Sequence, residues 1–265
     1  MHAPRSNPII EPELLMLAYR SGIFPMSDAR DDPEIFWIEP RLRAILPLDG
    51  LRVSSSLART LKRGKFEITC NRAFSQVMDE CAAPRQARDG DDGDSWISHR
   101  IQASYENLHF LGHAHSIEVW REGELVGGLY GVGFDRVFCG ESMFSRVSDS
   151  SKVALCWLVA ALRRGGSTLL DCQFMTSHLA SLGAVEMPQK KYLALLQAAQ
   201  SGHCSTAGSS TGSGSAAVGE ALGDAAGAGV LSLPAAFEGL LGDAKSLGLA
   251  SSPGKLIAQL LTQTS

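Results

Sequence analysis

Three consecutive runs in the middle of the chain, His115 to Arg121, Leu125 to Gly133 and Val137 to Phe144, are rich in branched and aromatic residues. That composition is the signature of strands. Glu122-Gly123-Glu124 and Phe134-Asp135-Arg136 separate the runs and carry the Gly and Asp of tight turns, so the pattern predicts an antiparallel meander. From Ser150 to Arg164 the pattern turns helical. Asp149 or Ser150 can cap its start, its middle is apolar, Arg163 and Arg164 sit in its last turn, and Gly165-Gly166 follow. Ser167 to Phe174 then reads as a buried strand.

The flanks are read the same way. Glu11 to Ser21 predicts a helix, with acids and Pro12 in its first turn and Gly22 just past its end. Phe36 to Pro47 predicts one or two short strands broken by Pro40. Ser54 to Gly64 has a serine cap and a glycine stop, and Phe66 to Cys70 is strand-like. Asn71 is the expected cap of a helix running to Ala82, with Phe74, Val77, Met78 and Cys81 on its inner face. Ser98 caps another helix over His99 to Leu111. Short helices are expected over Thr176 to Gly183 and Pro188 to Gln200.

Polar groups inside these apolar runs are the candidate chemistry. Glu141 lies in the third strand of the meander among Phe138, Met143 and Phe144. Burying a carboxylate alone is costly, so either it has a partner and a task or it faces solvent near the strand's end. Asp171 and Gln173 lie two apart on the later strand, share a face, and could form a hydrogen-bonding relay. Arg59, Lys62 and Arg63 stand at i, i+3 and i+4, with Lys65 just beyond. They make either a phosphate-binding face or an ordinary solvated one. His113 and His115 have no evident third ligand, so no metal is expected. The run D-G-D-D-G-D at 89–94 lacks the ligand spacing of a calcium loop and reads as a mobile acidic loop.

Composition narrows the picture. At 265 residues with net charge −4, the chain can bury a sizeable core but does not announce a nucleic-acid partner through overall charge. No run reaches the ~20 apolar residues of a membrane span, and the first ten residues show no secretory h-region. Six cysteines without a C-x-x-C pair, set among apolar neighbours, fit reduced thiols and a cytoplasmic location. Residues 201–265 hold 12 of the 27 glycines and a single aromatic, Phe237, so this Gly/Ala/Ser-rich tail is expected to be flexible. Its end, Gly254 to Ser265, is apolar enough to dock back as a strand or helix.

The segments G-H-A-H-S-I-E-V-W, L-V-G-G-x-Y-G-V, F-C-G-E-S-M-F-S and L-L-D-C-Q-F resemble the leucyl/phenylalanyl-tRNA–protein transferase family. The resemblance extends from about Glu11 to about Leu196, taking in Ala18 to Pro25 and Ala180 to Pro188. It implies an α+β, GNAT-like fold: a mixed, mostly antiparallel sheet flanked by helices. The expected division is a small N-terminal domain (1–47), a catalytic domain (48–200) and the tail (201–265).

The activity implied is transfer of Leu, Phe or Met from charged tRNA to the α-amine of proteins beginning with Arg or Lys, which marks them for N-degron degradation. By resemblance, Gln173 contacts the acceptor amine, Asp171 polarises that amide or accepts the proton through it, and Glu141 pairs with the acceptor's cationic side chain. Tyr19 and a tryptophan are assigned to the terminal adenosine. Met26 stands where many relatives have Trp and cannot stack as an aromatic does. Trp96 is therefore the stacking candidate, with a core role as its plainer reading. Leu129, Phe138, Met143, Leu158 and Leu170 are candidates for the pocket of the donor side chain, and Arg59, Lys62, Arg63 and Lys65 for the tRNA backbone. No cofactor, no membrane and a monomer are expected.

Two other readings stand beside this one: a GNAT acetyltransferase using acetyl-CoA, and a tRNA- or peptide-binding module without activity. Against the first, the loop Ser145 to Ser151 has no glycine and carries an acid, so its amides are poorly suited to cradle a pyrophosphate.

Overall fold

The computed structural model describes residues 9–84, 95–201 and 231–262. Helix α1 (Pro12–Arg20) leads into a two-stranded ribbon of β1 (Phe24–Met26) and β2 (Phe36–Ile38). There follow β3 (Leu42–Ile45), α2 (Ser55–Arg63), β4 (Glu67–Cys70), α3 (Phe74–Ala82) and α4 (His99–Phe110). The meander is β5 (Ala114–Arg121), β6 (Glu124–Phe134) and β7 (Val137–Ser145). Next come α5 (Ser150–Arg164), β8 (Leu169–Gln173), α6 (Ser177–Ser181), β9 (Val185–Pro188) and α7 (Gln189–Ser201). The chain closes with α8 (Leu233–Ser246) and α9 (Gly254–Thr262).

Seven strands form one sheet in the order β4-β5-β6-β7-β8-β3-β9. Every neighbouring pair is antiparallel except β7 and β8, which run parallel and are joined by the crossover helix α5. The sheet is therefore mixed and mostly antiparallel, with helices on both faces. Strand β3 lies between β8 and β9, so the segment before residue 47 supplies a strand to the main sheet as well as the ribbon.

Two irregularities shape the middle of the sheet. The parallel pairing of β7 with β8 covers Val137, Phe138 and Cys139 against Leu169, Leu170 and Asp171, and no further. Beyond that point the two strands part. In the β6–β7 pair, Tyr130 faces Ser142 while Gly131 faces Gly140, which leaves Glu141 as the extra residue of a bulge. Gly131 is needed there, because a Cβ would come within 2.2 Å of the Cys139 carbonyl oxygen.

One core fills each side of the sheet. On one side α1, α3, α4 and α7 cover Tyr130, Val132 and Phe134. On the other, α5 is buried almost all round, because α2, α8 and α9 pack over its outer face. The expectation of flexibility over 201–265 is corrected for 231–262. Phe237, only 1% exposed, packs at a tilt against Trp157 with ring centroids 5.3 Å apart, and Leu233, Leu240, Ile257 and Leu261 join the same core. The docked end is a helix.

A second correction concerns Asn71. It does not cap α3, whose N-cap is Ala73. Asn71 instead takes a left-handed conformation, φ +60°, and its side chain accepts from the Ser116 N–H at 2.9 Å. The Glu118 carboxylate accepts from the Ala73 N–H at the helix start. The acidic run at 89–94 lies outside the described residues.

Because Phe237 fills the space over Trp157, Phe237→Ala should lower stability by about 3–5 kcal/mol, and urea unfolding of the full chain measures it. A change below about 1 kcal/mol would show that α8 adds little to the core.

Candidate active site

The parting of β7 and β8 opens a cavity of about 530 Å³ at the carboxyl ends of the two parallel strands. That is where sheets of this kind place ligands. Leu129 of β6, Met143 of β7, Leu155 and Leu158 of α5, and Leu170 of β8 make apolar walls. Glu141 and Gln173 also line it, as do, among others, Met26, Trp96, Phe174, Thr176 and His178, here termed the rim.

Glu141 reaches this cavity because the bulge turns it out of the strand's alternation. Its Oε1 accepts from the Gln173 amide nitrogen at 2.9 Å, and its Oε2 accepts from the Tyr105 hydroxyl at 3.3 Å. Tyr105 in turn shares a short hydrogen bond with Tyr19. Burial pushes the Glu141 carboxyl up to about 7 from the usual 4.5, although hydrogen bonds from Tyr19 and Gln173 pull the other way. Tyr130 lies beside the site with its hydroxyl buried and without a hydrogen-bond partner among the described residues.

Asp171 is fully buried and outside the cavity. Arg43 from β3 holds it through Nε at 2.9 and 3.1 Å and also through Nη2. The Tyr192 hydroxyl donates to Asp171 Oδ2 at 2.9 Å, and the backbone N–H of Gln173 donates to Oδ1 at 2.8 Å. Arg43 also donates to the Gly22 carbonyl and stacks over the rings of Phe24 and Tyr192 at 4.8 and 4.5 Å. Burial alone would weaken the guanidinium charge, but the bonds to Asp171 outweigh it and raise the Arg43 pKa. The side-chain relay expected from Asp171 to Gln173 is therefore corrected: Asp171 grips the backbone of Gln173, while the Gln173 amide turns to Glu141. The reason is local. Gln173 has φ +61°, so the two residues do not follow regular strand alternation.

Of the residues read from the sequence, the structure brings Glu141, Gln173, Trp96, Leu129, Met143, Leu158 and Leu170 together around the cavity. Tyr19 and Phe138 do not line it. Tyr19 is 1% exposed and packed edge-on against Tyr105, and burial pushes its hydroxyl pKa up, so it supports Glu141 from beneath and leaves no face for a base. Phe138 is buried on the strand before the bulge, against Gly131. Arg59, Lys62, Arg63 and Lys65 are exposed on and just after α2, and none of the four lines the cavity. A second cavity, about 490 Å³ between α2, β4 and the start of α9, contains none of the groups around Glu141.

Sequence reasoning missed Arg43 and Tyr192. The signal for Arg43 was present: it is the one charge inside the apolar run L-R-A-I-L, and a charge there requires a partner. His113 Nδ1 is buried without a hydrogen-bond partner among the described residues, and burial lowers the pKa of both His113 and His115, the latter to about 4. Among the described residues no cluster of three or more metal-ligating side chains includes them.

Comparison with known proteins gives a consistent match. The family model described as leucyl/phenylalanyl-tRNA protein transferase matches residues 45–197, and the model of that family's N-terminal domain matches 9–41. A leucyl/phenylalanyl-tRNA–protein transferase of Novosphingobium aromaticivorans is 60% identical over 263 residues, 97% of each chain. One from Rhizorhabdus wittichii is 56% identical over 72% of this chain and 75% of its own. Among solved structures, L-PGS from Bacillus licheniformis aligns over 66% of this chain and 56% of its own at 15% identity. Its TM-score of 0.35 is too low to carry an argument.

Two outcomes follow from the site's electrostatics. Arg43→Met leaves Asp171 buried without its cation and should cost about 3–5 kcal/mol in urea unfolding, with much of the loss recovered in Arg43→Met/Asp171→Leu. Glu141 binds its proton more tightly in the folded protein than in the unfolded chain. Its contribution to stability therefore falls as pH rises from about 4.5 to about 7 and is flat above. Unfolding measured across that range should show Glu141→Gln gaining on the wild type as pH rises; parallel curves would mean that the carboxylate is not desolvated.

Proposed function

Because this chain belongs to the leucyl/phenylalanyl-tRNA–protein transferase family, we propose that it moves a leucyl or phenylalanyl group from the 3′ end of a charged tRNA to the α-amine of a protein beginning with Arg or Lys. The observation that carries the mechanistic reading is the Glu141–Gln173 pair set at the edge of an apolar cavity.

The donor ester is already activated, so the protein need supply no covalent nucleophile. Cys172, the thiol in the cavity, is pushed up to about 12 by burial and is a poor nucleophile. The task is positioning, which can contribute on the order of 7–11 kcal/mol in favourable cases. The donor side chain enters among Leu129, Met143, Leu158 and Leu170. A pocket of that kind separates one methylene from another by only about 1–3 kcal/mol, so the preference among Leu, Phe and Met is graded. Gln173 donates its amide hydrogen to Glu141, and its carbonyl oxygen is the end that accepts from the incoming amine. Asp171 acts through Gln173 by holding its backbone in place. Glu141 pairs with the acceptor's guanidinium or ammonium. The amine nitrogen attacks the ester carbonyl, the bond to the 3′ oxygen breaks, and the amine's proton leaves to that oxygen.

The wider reading is a GNAT-like aminoacyltransferase, monomeric, cytoplasmic and without a cofactor, whose product carries a new N-terminal Leu or Phe that marks it for degradation. The start of α5 speaks against acetyl-CoA as donor. Asp149 is the residue at that helix N-terminus and pairs with Lys152 at 3.2 Å, so a pyrophosphate brought there would meet a like-charged carboxylate.

The test uses labelled Leu-tRNA and Phe-tRNA with peptides beginning with Arg, Lys or Ala. Transfer is expected to the Arg and Lys peptides only, and Glu141→Gln should reduce it roughly 10- to 100-fold, the worth of a hydrogen bond to a charged group. A folded wild type that transfers nothing would end the enzymatic reading, and equal transfer to the Ala peptide would remove Glu141 from acceptor choice.

A further inference from the structure

The rim of the cavity holds an aromatic ring that the mechanism above does not use. Phe174 is 45% exposed, immediately after Gln173 and beside the opening. Single exposed apolar side chains are ordinary, but this one is held on two sides. Gln173 has the left-handed φ of +61°, a conformation uncommon outside glycine, and the Asp171 carboxylate fixes it through the 2.8 Å bond to its N–H. That turn carries Phe174 out of the strand onto the rim. Phe24 then meets the Phe174 ring edge-on, with centroids 5.7 Å apart and planes at 80°. Phe24 itself lies beneath the Arg43 guanidinium at 4.8 Å. The buried Arg43–Asp171 pair thus anchors Phe174 from both its backbone and its ring.

The same rim carries Trp96, Met26, Thr176 and His178. The Trp96 carbonyl accepts from the Ser27 N–H, which ties this part of the rim to the end of β1. The lining thus combines flat rings, Phe174, Trp96 and His178, with the aliphatic group of leucines and Met143 named above. In an aminoacylated nucleotide, the acyl side chain and the base hang from the same ribose. If the acyl side chain fills the aliphatic part, the base must sit about a sugar's width away, at the rim. A half-exposed ring there is suited to a base, because every base offers a π-face and stacking needs no hydrogen-bond code.

We propose that Phe174 is a stacking surface for the terminal base of the aminoacyl donor. The inference rests on the proposed reading of the cavity as the aminoacyl site.

Transfer kinetics of the full chain test it, with Leu-tRNA varied at saturating Arg peptide. Phe174→Ala and Phe174→Leu should raise the KM for Leu-tRNA about tenfold, whereas Phe174→Tyr should restore it and the KM for the peptide should not move. The leucine variant keeps apolar bulk, so it separates stacking from simple filling. A second measurement compares binding of 3′-leucylamido-3′-deoxyadenosine with the same ribose lacking its base, by titration calorimetry. The wild type should prefer the base-bearing compound about tenfold, and Phe174→Leu should show no preference. A leucine variant that keeps the preference, or a rise in the peptide's KM instead, overturns the proposal while leaving the transferase reading intact. A wild type that transfers no leucine and binds neither compound overturns both.

Discussion

The ion pair between Arg43 and Asp171 is the constraint from which the rest of the site follows. It is buried, and removing two charges from water is repaid only when geometry is good and the remaining polar atoms are satisfied. Here they are. Arg43 engages both carboxylate oxygens and the Gly22 carbonyl, and Asp171 also accepts from Tyr192 and from the Gln173 backbone. One contact set therefore ties together five parts of the chain: the end of α1, the β1 ring of Phe24, β3, β8 and α7. Such a pair adds less to net stability than its Coulomb attraction implies. Its larger effect is to specify one arrangement, because any shift of β3 against β8 would strand a charge.

That specification matters because the sheet is opened on purpose next to it. The pairing of β7 with β8 ends at Cys139 and Asp171, so the ion pair stands at the last point of contact before the strands diverge. The bulge at Glu141 then turns one carboxylate into the opening, from a strand whose other inward groups are apolar. A splay without an anchor would leave backbone groups and a cavity wall without fixed positions. With the anchor, the cavity has the buried helix α5 along one wall and an edge in Gln173, whose backbone Asp171 holds.

The elements with local signals were legible in the sequence. Ser54 and Ser98 cap α2 and α4, Gly64 ends α2 in the left-handed conformation, and α5 runs over the residues its pattern predicts. Glu141 and Gln173 were found because polar groups in apolar runs demand an explanation. The failures have specific causes. Asp171 and Gln173 were assigned a common face by a rule for regular strands, and φ +61° at Gln173 breaks that rule. Tyr19 was assigned to substrate although helix α1 turns it inward against Tyr105. The docking of the end from Gly254 was legible, but α8 was missed because that part of the tail was judged by average composition, which hides a few well-spaced apolar residues. A helix that is apolar all round must be covered on every side. The run V-A-L-C-W-L-V-A-A-L in α5 therefore already required a further layer, and α8 and α9 supply it.

Two neighbouring carboxylates, Asp171 outside the cavity and Glu141 lining it, stand in opposite conditions. Asp171 is saturated with donors and has no oxygen left for a ligand. Glu141 is desolvated, and the hydrogen bonds it accepts from Gln173, Tyr105 and Tyr19 all come from neutral groups, so burial still leaves its pKa near neutrality. A cation brought against it favours the ionised form and repays the desolvation. A neutral side chain closing over the same carboxylate removes the remaining water and supplies nothing in return. On the proposed reading, discrimination against neutral N-termini then needs no steric block. It follows from the cost of covering an unpaired charge, and binding a cationic acceptor releases whatever proton Glu141 held in the empty site.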